Sequence, residues 1–316
     1  MHFIKRGEVM KDSELTYAVS YLKTLENKML TASDFETLIS GSYDDAIKLL
    51  QDKGFGKKDS TDSSILDDEA EKIWAEAEGV LPDPAVLDIL KCKNDFHNLK
   101  TILKAFITNM SWENLVLTPS IINPEDIYSA VASNDFSGLP EFLSEVGKNA
   151  YGIITKEHDG QKAEIYIDKM AFSYMKKLSG SNAFLTEWVD KNILFINILI
   201  AMRCHRLGSI SADSAFIETD SDILLDLKTA SETGDFGEIL KKVGYAHEED
   251  NIDIGEFEKW CEKKKSELFE VYKSHFFGIE PIFSFILSKE EEIKKVRIIL
   301  SCLKNSIPTE IIRKRL

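Results

Sequence analysis

An all-α fold made of three similar helical modules is what the amino-acid sequence predicts, on three observations. An amphipathic stripe returns twice at nearly constant spacing, a second landmark returns with it, and strand signals are scarce. The stripe is clearest in residues 94–109, NDFHNLKTILKAFITN, with apolar side chains at Phe96, Leu99, Ile102, Leu103, Phe106 and Ile107. That spacing gives a helix one buried face. Residues 193–203 repeat the phase at Phe195, Ile198, Ala201 and Met202. Residues 292–303 repeat it at Ile293, Val296, Ile299, Leu300 and Leu303. Asn98, Asn197 and Lys295 align, 99 and 98 residues apart.

Any two amphipathic helices share apolar phase, so the second landmark matters. Residues 34–56, 126–152 and 222–245 each begin with Asp before an apolar run and turn in a small or polar stretch. Each ends with Gly near an aromatic, as at a glycine-terminated helix. Phe55, Tyr151 and Tyr245 lie 96 and 94 residues apart. A period near a hundred is a domain period, longer than that of solenoid repeats. The connectors TPSIINP (118–124) and GSISAD (208–213) then divide the chain into modules 1–117, 118–212 and 213–316.

In order, residues 12–30 predict a helix with Asp12 or Ser13 as N-cap. Ser33 and Asp34 are expected to cap the next one. Residues 57–68 read as a polar loop, 69–78 as a helix, and 81–84 as a break before the first striped helix. The second module runs through two short helices to Tyr151. Residues 153–160 carry no stripe and predict a turn or short extended link. Helices over 164–178 and 183–206 follow, parted by SGSN. The third module ends in helices over 256–276 and 281–304 and a last piece, 306–316. There Pro308 stands at a helix start and Arg313, Lys314 and Arg315 at its end, which suits the macrodipole.

Composition excludes several functions. Net charge is −15, from 39 basic and 54 acidic side chains. That argues against nucleic acid and against anionic lipid as a general partner. Residues 1–14 hold no apolar stretch of an export signal. The longest apolar run, 193–202, is interrupted by Asn197 and falls short of the roughly 20 residues a membrane helix needs. Cys92, Cys204, Cys261 and Cys302 form no CxxC, so no zinc or redox site is indicated. Ala105, Cys204 and Cys302 align and read as small helix-packing positions in a reducing cytosol.

Motifs for chemistry fail on inspection. GFGKK (54–58) lacks Gly at 51 and Ser or Thr at 58, so it reads as a helix stop. HEED (247–250) with Asp253 and Glu256 has Ile252 where a calcium loop needs its third-position ligand. There is no HExxH, and His97 and His205 suit core-edge or interface positions. Asp95 and Glu292 are equivalent, but the second copy has Leu194 there. No catalytic, cofactor or metal residue is predicted.

The third copy carries a family resemblance. Residues 277–297 read FGIEPIFSFILSKEEEIKKVR, with Phe277, Gly278, Glu280, Pro281 and Phe285, then Lys289, Glu290, Glu292, Ile293, Lys294 and Arg297. This resembles the C-terminal signature of the C/d subunit family of A-type and V-type rotary ATPases. YAVSYLKTLENKML and NDFHNLKTILKA resemble the family's other motifs, with Tyr21 and Lys23 where arginine is usual and Leu194 where an acid is usual. The resemblance implies three helical domains around a pseudo-threefold axis, forming a funnel. It implies a non-catalytic rotor component of the central stalk, without cofactor. Such a component couples the D and F subunits of the shaft to the membrane proteolipid ring for Na⁺ or H⁺ transport. It would be cytoplasmic and peripheral to the membrane. A free-standing helical scaffold that binds partner helices is the alternative. Two finer expectations follow. Arg297 should pair with an acid of the 277–280 loop. The three long helices should leave a central socket near Lys104, Arg203 and Ser301 and the small residues Ala105, Cys204 and Cys302.

Overall fold

The computed structural model describes residues 12–180, 182–208, 212–219, 222–245 and 253–316. Among these every regular element is helical. The HEED stretch lies outside the described residues.

Helix α1 (Asp12–Glu26) buries Leu15, Ala18, Val19 and Leu22 on one face. Helices α2 (Ala32–Ser40) and α3 (Tyr43–Asp52) each open on a capping box, Thr31 with Asp34 and Ser42 with Asp45. Thr31, rather than Ser33 or Asp34, is therefore the cap of α2. Asp34 serves at the third helical position and also binds Lys53, which holds its carboxyl down at about 2. Helix α4 (Ile65–Val80) starts before Glu69, because Ile65 and Leu66 are core residues rather than loop.

Helix α5 (Asp88–Thr108) is the first striped helix, and α6 (Pro124–Ser133) is capped by Asn123. Helix α7 (Glu141–Gly152) continues into a π-helical turn, Ile153–Glu157, in place of the turn or extended link that the missing stripe predicts. Ile153 and Ile154 pack against the core beside Tyr151, which keeps the chain wound until His158 turns left-handed. Then come α8 (Gly160–Ser179), α9 (Ala183–Leu207), α10 (Ala212–Ala215), α11 (Ile223–Thr233), α12 (Gly237–Val243) and α13 (Ile254–Glu270). The helix expected over 256–276 stops at Glu270. Phe269 is its last buried residue, and Val271 and Phe276 beyond it are exposed. Helices α14 (Glu280–Lys304) and α15 (Thr309–Arg315) end the chain.

Two compact units result. One combines the described residues up to Ala85 with Ser266–Leu316; the other is Val86–Lys265. In the first, Ile293, Val296, Ile299 and Leu300 of α14 form a core with Leu38, Ile47, Leu50, Phe55 and Ile65. The second holds two cores. Phe96, Leu99, Ile102 and Leu103 of α5 meet Ile127, Val131, Leu143 and Ile167. Phe195, Ile198, Ala201 and Met202 of α9 meet Leu227, Ile239, Leu240 and Phe257.

All three cores follow one plan. A long helix (α14, α5 or α9) lays its stripe over two short helices and one further helix (α4, α8 or α13). The long helices also end alike. Asn109, Gly208 and Ser306 align, and each is left-handed, with φ of 53°, 62° and 55°. That backbone turn ends a helix by redirecting its last carbonyls. Ala105, Cys204 and Cys302 are buried inside the three cores, so they serve helix packing and do not line a socket. All four cysteines are buried and free.

Candidate functional site: polar groups on the long helices

Each long helix carries polar side chains inside its apolar stripe, and an unpaired amide there would cost about 2 kcal/mol or more. Asn98 avoids this by clasping one residue. Its Nδ2 donates to the Leu117 carbonyl at 2.9 Å, and the Leu117 N–H donates to its Oδ1 at 2.7 Å. Asn197 does the same to Ile217, at 2.8 Å in both directions. These clasps fix the connector that leaves each helix.

The equivalent acids do a related job. Asp95 accepts from the Ile122 N–H at 2.9 Å and the Ile121 N–H at 3.2 Å. Glu292 accepts from the Leu30 N–H. Ile122 and Leu30 each stand immediately before an N-cap, Asn123 and Thr31. The carboxylates therefore position the entry to a short helix pair. Burial pushes the Asp95 pKa up to about 7, while the two N–H donors pull it down.

Around α14 the acid belongs to a larger buried network. Lys289 lies 2.8 Å from Glu69 Oε1 and also pairs with Glu292. Glu69 Oε2 accepts from the Gly56 N–H at 2.9 Å and pairs with Lys72, whose Nζ donates to the Gly54 and Gly56 carbonyls. The Lys289 ammonium sits 4.1 Å from the centre of the Phe55 ring. Two carboxylates and two ammoniums make the set neutral, and Glu69, Lys289 and Glu292 are at most 5% exposed. Lys289 is visible in the sequence as part of a motif; its partner Glu69, 220 residues away, is not.

Nothing in this arrangement presents a nucleophile or an open coordination site, and among the described residues no metal-binding cluster is present. Gly54 and Gly56 turn left-handed at the end of α3, and Lys57 pairs with Glu71, so GFGKK is a helix stop. His97 lies against the Leu115 carbonyl and His205 against that of Ser231, at the edges of two cores. A cleft of about 540 Å³ opens between α5 and the start of α8, floored by Leu103, Ile107, Ile154 and Ile167. Its lysines are engaged, Lys100 with Asp168 and Lys104 with Glu164.

Comparison with known proteins identifies the lineage. Residues 18–315 match the family described as the ATP synthase (C/AC39) subunit. The chain belongs to that family. It is also similar to the C subunit of the V-type sodium ATPase of Enterococcus hirae, 24% identical over 92% of this chain and 94% of the relative.

The residues that carry the sequence resemblance stand in different environments. Pro281 and Glu292 are buried, the first in the opening turn of α14 and the second in the ion network. Gly278 takes φ +86°, a turn an L side chain rarely adopts, two residues before Glu280 begins α14. Phe277 is 62% exposed, and Glu290 accepts from the Trp74 indole N–H at 3.2 Å. Arg297 departs from expectation. It pairs with Asp67 of α4 at 2.7 Å, and both side chains are exposed; no acid of the 277–280 loop is its partner. It repeats the Lys100–Asp168 pair, since positions 100 and 297 align and each reaches the helix beside its own.

Proposed function

We propose that this chain is the non-catalytic coupling piece of a V/A-type ATPase, joining the D and F subunits of the central shaft to the membrane proteolipid ring. Its three helical modules stand around a pseudo-threefold axis as a funnel whose mouth receives the shaft. The family match across residues 18–315 carries this reading. The Enterococcus hirae relative, from a V-type sodium ATPase, supports it along nearly its whole length. Among the described residues no helix is long and apolar enough to cross a membrane, which suits a peripheral cytoplasmic attachment. The polar groups of the long helices hold backbone rather than substrate, which suits a part that transmits torque.

An affinity tag on this chain, purified from membranes of its source, should recover the ATP-hydrolysing head, the shaft and the ring together. Recovery of unrelated partners only would favour a free-standing scaffold instead. The socket has its own test. Lys104, Arg203 and Ser301 are exposed at aligned positions of the three long helices. Tryptophan at all three should block shaft binding while helix content stays unchanged. Undiminished binding of D and F by that variant would remove the socket from the reading.

A further inference from the structure

The three long helices pose a pairing problem. Their stripes coincide position by position: Phe96, Phe195 and Ile293; Leu99, Ile198 and Val296; Ile102, Ala201 and Ile299. Apolar burial is non-directional, so it discriminates weakly among three such helices for one short-helix bed. Two of the three beds receive the long helix adjacent to them in sequence. The bed of α2–α4 does not, because its helix, α14, arrives from the far end of the chain. While α14 is being made, α5 and α9 already exist.

We propose that the buried Glu69–Lys289–Glu292 set is the selector that pairs α14 with α4 and excludes its look-alikes. Aligning Asp67 with Asp168 through their equivalent cationic partners places Met170 of α8 opposite Glu69 of α4. The same register places Cys92 of α5 opposite Lys289. Helix α5 on the α4 bed would therefore leave Glu69 with Lys72 alone, its Oε1 having lost the ammonium of Lys289. Helix α14 on the α8 bed would place Met170 where Glu69 stands and leave Lys289 with Glu292 alone. Each leaves a buried charge with one counter-ion where it had two, which makes the mispairing costly. Helix α9 brings Lys191 to the Lys289 position but Leu194 to the Glu292 position, so the Leu30 N–H would lose its acceptor. Only α14 satisfies Glu69 and Leu30 together. Phe55, at 4.1 Å from Lys289, completes the fit as the aromatic landmark of that copy.

The test is the full-length triple variant Glu69→Gln, Lys289→Met, Glu292→Gln. It removes all three charges and keeps an oxygen acceptor for the Gly56 and Leu30 N–H groups. After refolding from denaturant, hydrogen exchange over α14 is read by mass spectrometry. Wild type should give one slow-exchanging population. The variant should keep a cooperative melt but show two populations over α14, the fast-exchanging one raised about tenfold over wild type. Lys289→Arg, which keeps the charge, should behave like wild type. A triple variant with a single slow-exchanging α14 population overturns the proposal. So does one that fails to fold, because either result makes the charges stabilising elements and not selectors.

Discussion

At the scale of single residues, location decides what a charge contributes. Arg297 and Asp67 are exposed by 57% and 71%, so their ion pair is screened by water. Arg297→Ala should cost under about 1 kcal/mol, a melting shift of at most a few degrees. A large drop would show that Arg297 is held by more than Asp67. Asp95 is the opposite case. Its folded pKa of about 7 lies above the ordinary carboxylate value, so the fold binds this proton more tightly than the unfolded chain. The stability it lends is complete below about pH 4 and lost as pH rises through about 7. Asp95→Asn keeps an acceptor for Ile122 but cannot ionise. The variant should melt below wild type at pH 5, and the gap should close or reverse by pH 8. Parallel melting curves across that range would mean Asp95 is charged throughout.

Between elements, polar groups fix what apolar stripes leave loose. Asn197→Ala would leave the N–H and carbonyl of Ile217 without their partners, at a cost of about 3 kcal/mol. Asn98→Ala should match it, because the clasp on Leu117 has the same geometry. Unequal losses, measured by denaturant unfolding, would mean that water reaches one connector and not the other. The single change Lys289→Met should be worse than either clasp. It leaves Glu292 in a core without its counter-ion and Glu69 with Lys72 alone, and breaking one side of a buried ion pair costs about 3–5 kcal/mol.

For the whole molecule, the expectation is an inert coupling piece. The pure chain should hydrolyse no ATP, and Lys57→Ala should change nothing, since Lys57 is an exposed residue paired with Glu71. ATP turnover by the pure chain that vanished in that variant would restore GFGKK as a phosphate loop. The assembled complex should instead lose coupled ion transport when this chain is absent.

The sequence by itself determined the helices and the family. Stripe phase and glycine stops are local signals, and they survive into the structure at the aligned helix ends Asn109, Gly208 and Ser306. Local periodicity also exposed Ala105, Cys204 and Cys302 as packing positions. What it did not contain was the choice of partner for each polar group. Arg297 met Asp67 rather than the nearby Glu280, and Lys289 met Glu69, because chain separation places no limit on which helices share a core. The π-helical turn after α7 is of the same kind, since its winding follows from Ile153 and Ile154 finding a core and not from any stripe. Tertiary structure alone closed the chain's end onto its beginning, laying α14 over α2 and α3. An apolar stripe states how much surface must be buried; the charges set into it acquire meaning only when the opposing helix arrives.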